Sequence, residues 1–254
     1  MIGQPAHAWV SGQLARAWGN DAFPAPVPRE PFCLAAEQHD VGWADADLAP
    51  VAGPDGRPLS FMQQPRLAHV AIWRGAARRL LAQSRYAALL VSLHGTSLYE
   101  RVEPTPETAD AIGSYLAEQR ALQERLTEGL DREEVDRNRR LLLALDRLSL
   151  MLCHGRATVL EEVPAARGAA TIRVEPAGDD DAPGTAPPAR DDRAVPPGTS
   201  TVRFVLDPWP FAARAVVVGC EGRLLAGSFS GDAELRAALE AAPWVPLRWA
   251  FSPG

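Results

Sequence analysis

The chain has 254 residues, 46% of them hydrophobic, which is enough for a sizeable buried core. Its formal net charge of −6 offers no general basic face, so no nucleic-acid partner is expected. All 26 basic residues are arginine, so any phosphate clamp has to use arginine, metal or backbone N–H groups.

The opening stretch predicts a helix, because His7, Val10, Leu14 and Trp18 fall on one face. Residues 20–31 hold four prolines and read as a loop. A short helix is expected from about Phe32; it carries His39 and Asp40 and stops near Gly42. GPDGRPLS, residues 53–60, is turn chemistry. Leu67, Val70, Trp73, Ala77 and Leu80 place another helical stripe over about 65–83. YAALLVSLHG, residues 86–95, fits strand or helix by periodicity, and its neighbours favour helix. Two long helices are expected over about 106–130 and 132–154, with Gly155 as the stop.

The composition then changes. Residues 176–200 are rich in Pro, Gly and Asp and are expected to form a flexible or disordered loop. Strand-like runs flank it: ATIRVEP (170–176), TVRFVLDPW (201–209), and AVVVGC with RLLAGSF as a hairpin turning at Glu221-Gly222. GDAELRAALEAAP (231–243) reads as a short capped helix and VPLRWAF (245–251) as a final strand. The expected fold class is α+β, with a mainly helical domain over 1–155 and a small C-terminal antiparallel sheet within 156–254.

Cys33, Cys153 and Cys220 are scattered and odd in number, which argues against a disulfide scaffold and for a reducing, cytoplasmic setting. No basic region followed by an apolar one opens the chain, so no signal peptide is expected. The longest apolar run, LLLALDRLSLML, is too short and polar to span a bilayer, and no membrane partner is expected.

The chemistry-bearing residues are the histidines and two aspartates. His7 lies on the apolar stripe of the first helix, and His39 lies one turn beyond Ala35 and Ala36. His69 shares a face with Trp73, Ala76 and Leu80, and His94 ends an apolar run. Asp146 sits among Leu142, Leu143, Leu145, Ser149 and Leu150, where a carboxylate is costly to bury unless paired, hydrogen-bonded or metal-bound. Taken singly, each histidine is more simply a core residue. Together, four histidines and two aspartates face inward from separate helices, as a metal site inside a helical bundle requires. His154, beside Gly155 at a helix end, is explained by the helix dipole. Ser92 and Ser97 flank His94 without the strand-turn-helix elbow of a serine nucleophile. Glu37, two residues before His39, points to another helix face.

The order His7, His39-Asp40, His69, His94, Asp146 resembles the HD-domain superfamily, all-helical metal-binding proteins named for their His-Asp dipeptide. HDVG at 39–42 matches the His-Asp-hydrophobic-Gly form of that superfamily. The chain is also similar to an uncharacterised bacterial family with an HD-x-GW motif and a later DRLSL segment. The first resemblance covers about residues 5–155 and the second nearly the whole chain. It implies an HD-domain-like bundle in which His7, His39, Asp40 and Asp146 hold a first ion. His69 and His94 would hold a second, with Asp40 bridging. Such ligands suit one or two Fe, Mn, Zn or Ni ions better than Mg. The function implied is a metal-dependent hydrolase acting on a phosphate ester through a metal-bound hydroxide. A di-iron oxygenase on the same fold and a metal-stabilised binding protein are the alternatives. For a small anionic substrate, Arg66, Arg74, Arg101 and Arg139 are candidate contacts, and Trp43 and Tyr99 candidate pocket walls.

Overall fold

The computed structural model describes residues 1–100, 102–177 and 201–254. The expected contact Arg101 and nearly all of the loop expected at 176–200 lie outside the described residues. The fold is α+β, with a helical assembly followed by a five-stranded sheet.

Helix α1, Gln4–Ala17, starts with proline in its first turn, where the missing N–H is no loss, and buries His7, Val10, Ser11 and Leu14. Helix α2 spans Arg29–Gln38, three residues ahead of the expected start at Phe32. Pro31 lies in its first turn, where backbone N–H groups have no helical acceptor, so the proline-rich run does not delay the helix. The chain then makes a 3-10 turn over Val41–Trp43 and a short helix α3, Ala44–Leu48. Helix α4, Arg66–Leu80, and helix α5, Arg85–Ser97, follow, the latter capped by the Ser84 hydroxyl accepting from Ala87 N–H. Helix α5 buries residues 86–92 and 94–96, so it is enclosed on all sides. An unbroken apolar run is therefore what its position demands, and this explains why periodicity alone left it ambiguous. Helix α6, Ala109–Thr127, and helix α7, Arg132–Cys153, complete the assembly; Asp131 caps α7 by accepting from Glu133 and Glu134 N–H.

Gly42 does not terminate α2. It lies within the 3-10 turn, and a Cβ there would stand 2.6 Å from the Ile72 carbonyl oxygen of α4. Gly12 plays the same part between α1 and α2, where a Cβ would meet the Glu37 Cβ at 2.7 Å. The two glycines let α1, α2 and α4 approach more closely than side chains allow, and this brings the His39-Asp40 dipeptide inward.

The sheet runs β1 (Thr158–Ala165), β2 (Gly168–Pro176), β3 (Thr201–Asp207), β5 (Trp244–Pro253) and β4 (Val216–Arg223) in spatial order. Two expectations about the sheet are corrected here. The sheet is mixed, because β3 pairs with β5 in parallel while the other pairs are antiparallel. The chain passes from β4 through helix α8, Asp232–Ala241, before returning as β5 between β3 and β4. The expected turn at Glu221-Gly222 is continuous strand, where Arg223 N–H donates to the Met1 carbonyl at 2.8 Å. Strand β1 escaped the alternation test because its register shifts between Leu160 and Val163, with Glu162 at φ 55°. The helix after Gly231 has no side-chain cap.

The sheet shares one apolar core with the helices, through Leu160, Ile172, Phe204, Val218 and Phe251. Gln13 of α1 fixes the contact at β4, donating to the Gly219 carbonyl at 2.7 Å and accepting from Gly219 N–H at 3.1 Å. Among the described residues no helix is long and apolar enough to cross a membrane.

Replacing Gly42 with alanine drives a methyl group into the α4 backbone. The expected cost is about 1–3 kcal/mol, read as a lower urea midpoint with an unchanged slope. An unchanged midpoint would show that the approach of α4 to the turn is not tight.

Candidate metal centre

His7 comes from α1, His39 and Asp40 from the end of α2, His94 from α5 and Asp146 from α7. All five converge. His7 Nε2 lies 2.6 Å from Asp40 Oδ2, and His39 Nε2 lies 3.3 Å from Asp146 Oδ1 and 3.6 Å from Asp40 Oδ2. His94 Nε2 is 3.7 Å from Asp146 Oδ2. The His39 side chain is wholly buried, and that of Asp146 is 15% exposed. Two ligand groups overlap, His7-His39-Asp40 and His39-His94-Asp146, with the ligand atoms of each within 4.8 Å of one another.

The hydrogen bonds around the cluster set which ring nitrogens face it. His39 Nδ1–H donates to the Ala36 carbonyl at 2.9 Å, which directs Nε2 inward, where no hydrogen bond satisfies it. The Ser149 hydroxyl donates to the Asp146 carbonyl at 2.9 Å, so its oxygen accepts from His7 Nδ1–H at 2.8 Å. That leaves His7 Nε2 directed at Asp40. A bare imidazole lone pair and a carboxylate oxygen repel at 2.6 Å, so a proton stands between them, and a metal ion in its place would hold the two atoms further apart. Ser11 supports the arrangement from α1 by donating to Ser149 Oγ at 2.9 Å. Ser11 and Ser149 were not singled out as site residues from sequence. The one available signal was the three-residue spacing that puts Ser149 on the same face of α7 as Asp146.

The electrostatics follow from burial and neighbours. Burial alone pushes the His39 pKa down, but the Asp40 and Asp146 carboxylates outweigh it and lift it to about 9. Burial lowers His94 to about 4, with Asp146 offsetting only part of the effect. For Asp146 burial acts upward, yet the neighbouring imidazoles, His39 foremost, hold it well below the usual carboxylate range. The cluster thus demands positive charge near His39 and the two carboxylates.

A divalent ion fits that demand. Ligands about 2.0–2.2 Å from one ion lie roughly 3–4 Å apart, and most of the separations above fall in that range. The imidazole and carboxylate donors suit Zn, Mn, Fe or Ni. His39, rather than Asp40, is the member common to both ligand groups.

His69 is not drawn into either group. Its Nδ1 shares a hydrogen bond with the Tyr99 hydroxyl, and its ring packs against Trp43, Trp73 and Tyr99. Burial and Arg66 push its pKa down to about 4. Arg66 itself lies over the Tyr99 ring. Arg74 is turned to α6, where it pairs with Glu118 at 3.2 Å, and Arg139 pairs with Asp136 on α7. Glu37 pairs with Arg16 on the surface, Ser92 bonds to Gln119, and His154 is exposed at the helix end. Trp43 is buried and lines a cleft of about 600 Å³ that reaches the cluster at His7. Asp47, Arg57, Phe61 and Phe229 form other parts of its wall.

A family model described as "Protein of unknown function (DUF3891)" matches residues 1–227. No curated protein and no solved structure matches the chain.

The charge pattern has a pH signature in metal-free protein. His39, raised to about 9, contributes stability that is complete below its unfolded pKa near 6.5 and is lost as pH rises through 9. His69 and His94, lowered to about 4, contribute stability present above 6.5 and lost as pH falls toward 4. The urea midpoint of chelator-treated protein is therefore expected to peak near pH 6.5 and to fall on both sides. In His39→Gln the fall between pH 6.5 and 9 is expected to disappear. A midpoint that rises over that interval in the wild-type protein would contradict the assignment.

Proposed function

We propose that this chain, which belongs to the DUF3891 family of unknown function, is a metal-dependent hydrolase of HD-domain type acting on a phosphate ester. The observation that carries the reading is the convergence of His7, His39, Asp40, His94 and Asp146 on one buried space bordering a cleft. The order of four of these, His, His-Asp, Asp, is that of the HD-domain superfamily the sequence resembles.

His7, His39, Asp40 and Asp146 would hold one divalent ion, and His94 lies against Asp146. A bound ion of this kind supplies an acidified water as nucleophile and polarises a phosphoryl oxygen. The protein's own part is to keep the ligands in register. Ala36 and Ser149 fix the two imidazole tautomers, and Ser11 holds Ser149. Trp43 walls the ester-binding space, and the buried aromatic group of Trp73, Tyr99 and Tyr115 keeps water from the side of His94. His69 belongs to neither ligand group, so the reading centres on one ion. A cytoplasmic setting accords with the three free cysteines.

The test is metal analysis together with turnover of p-nitrophenyl phosphate and bis-p-nitrophenyl phosphate after loading with Mn or Zn. About one ion per chain is expected, and His39→Gln and Asp146→Asn should lower kcat/KM by more than about a hundredfold while losing the ion. Fewer than about half an ion per chain under saturating Mn, Zn or Fe would overturn the metal centre. Bound iron with oxygen uptake and no ester hydrolysis would replace the hydrolase with an oxygenase.

A further inference from the structure

We propose that Arg57 is the anion anchor of the cleft, a specificity-determining residue that binds an oxyanion group of the substrate outside the His/Asp cluster. The proposal rests on the cleft being the substrate site of the hydrolase described above.

Arg57 is the one arginine among the described residues that line the cleft, and among those residues its guanidinium has no carboxylate partner. The single carboxylate on the same wall, Asp47, already accepts from Gln4 N–H at 2.5 Å. Elsewhere the arginines near the site are committed: Arg16 to Glu37, Arg74 to Glu118 and Arg79 to Asp45. A guanidinium with five donors and no carboxylate partner among the described residues is suited to phosphate or carboxylate.

What distinguishes Arg57 from an ordinary surface arginine is its backbone. The Arg57 carbonyl accepts from Gly53 N–H at 2.7 Å, and Arg57 N–H donates to Asp55 Oδ1 at 3.0 Å. Ala52 and Pro58 bridge on either side of the turn. The turn is then tied to the C-terminal part of the chain. Phe229 N–H donates to the Gly56 carbonyl at 2.7 Å, and Ala52 N–H donates to Asp232 Oδ1 at 2.9 Å. Gly56 has φ +72°, and a Cβ there would meet Phe229 O at 2.8 Å, so the close seat requires glycine. A clamped backbone fixes where the arginine side chain starts, at the cleft wall, and removes the backbone share of the ordering cost of binding. The cleft wall is mixed: Trp43, Phe61, Leu150 and Phe229 supply apolar surface beside the polar groups of His7, Asp47 and Gln64. The substrate class that fits is a small phosphate ester with an apolar body, its charged end held between Arg57 and the cluster at His7.

The experiment titrates inorganic phosphate into chelator-treated full-length protein at low ionic strength, by calorimetry, for the wild type, Arg57→Gln, Arg57→Lys and Arg66→Gln. Arg57→Gln is expected to weaken phosphate binding at least about tenfold, Arg57→Lys less, and Arg66→Gln by under about twofold. Metal content and melting temperature of Arg57→Gln should equal those of the wild type. Equal phosphate affinity in wild type and Arg57→Gln overturns the anchor, as does a wild type that binds no phosphate. If the cluster takes up no metal but phosphate binding still depends on Arg57, the hydrolase reading fails and the anchor stands. If metal-loaded Arg57→Gln hydrolyses an ester with unchanged KM, the anchor fails and the hydrolase stands.

Discussion

The structure is organised around a charge that has to be neutralised in the interior. Asp40 and Asp146 come within reach of the same imidazole, His39, in a space where water is largely excluded. Two carboxylates brought there without a cation would cost several kcal/mol each in lost hydration. Protonation of His39 meets part of the demand in the metal-free chain, and a divalent ion, as proposed, would meet more of it. The surrounding fold serves to keep these groups from escaping the conflict by turning to solvent. His39 is held by Ala36, and His7 is held by Ser149.

The helices can hold that arrangement because they approach one another closely. Helix α5 is enclosed on all sides and presents His94 from the centre of the core. Gly42 admits the α4 backbone next to the His39-Asp40 turn, and Gly12 admits α2 against α1. Gly95 admits the Trp73 ring, whose nearest carbon would lie 2.8 Å from a Cβ, and Trp73 in turn packs against His94. The sheet contributes less directly. It covers α1 and α7, and the segment joining β4 to α8 braces the loop that carries Arg57.

Much of the helical part was legible because its apolar spacing agrees with burial, as in α1, α4 and α7, the last of them also capped by Asp131. The inward face of Asp146 could be read for the same reason: a carboxylate in a leucine-rich stripe needs a partner. Other features depend on contacts between distant segments. The parallel pairing of β3 with β5 is set by where α8 returns the chain, and nothing in either strand encodes it. The Glu221-Gly222 pair looked like a turn, but its two residues pair with Pro246 and Val245 of β5, and the next residue, Arg223, donates its N–H to the Met1 carbonyl. His69 had the same helical setting as the other histidines, and only the three-dimensional position of Tyr99 commits its Nδ1 elsewhere. Arg57 gave no periodic signal at all, since its placement comes from the clamp between its turn and Phe229.

Replacement of the proton among His7, His39, Asp40 and Asp146 by a metal ion is the step on which the proposed function depends. It is tested most directly by anomalous diffraction from crystals grown with Mn or Zn. A single strong anomalous peak is expected within bonding distance of His39 Nε2 and of carboxylate oxygens of Asp40 and Asp146, with His69 still bonded to Tyr99. A peak elsewhere, or none at this cluster with the 2.6 Å contact between His7 and Asp40 retained, would contradict it.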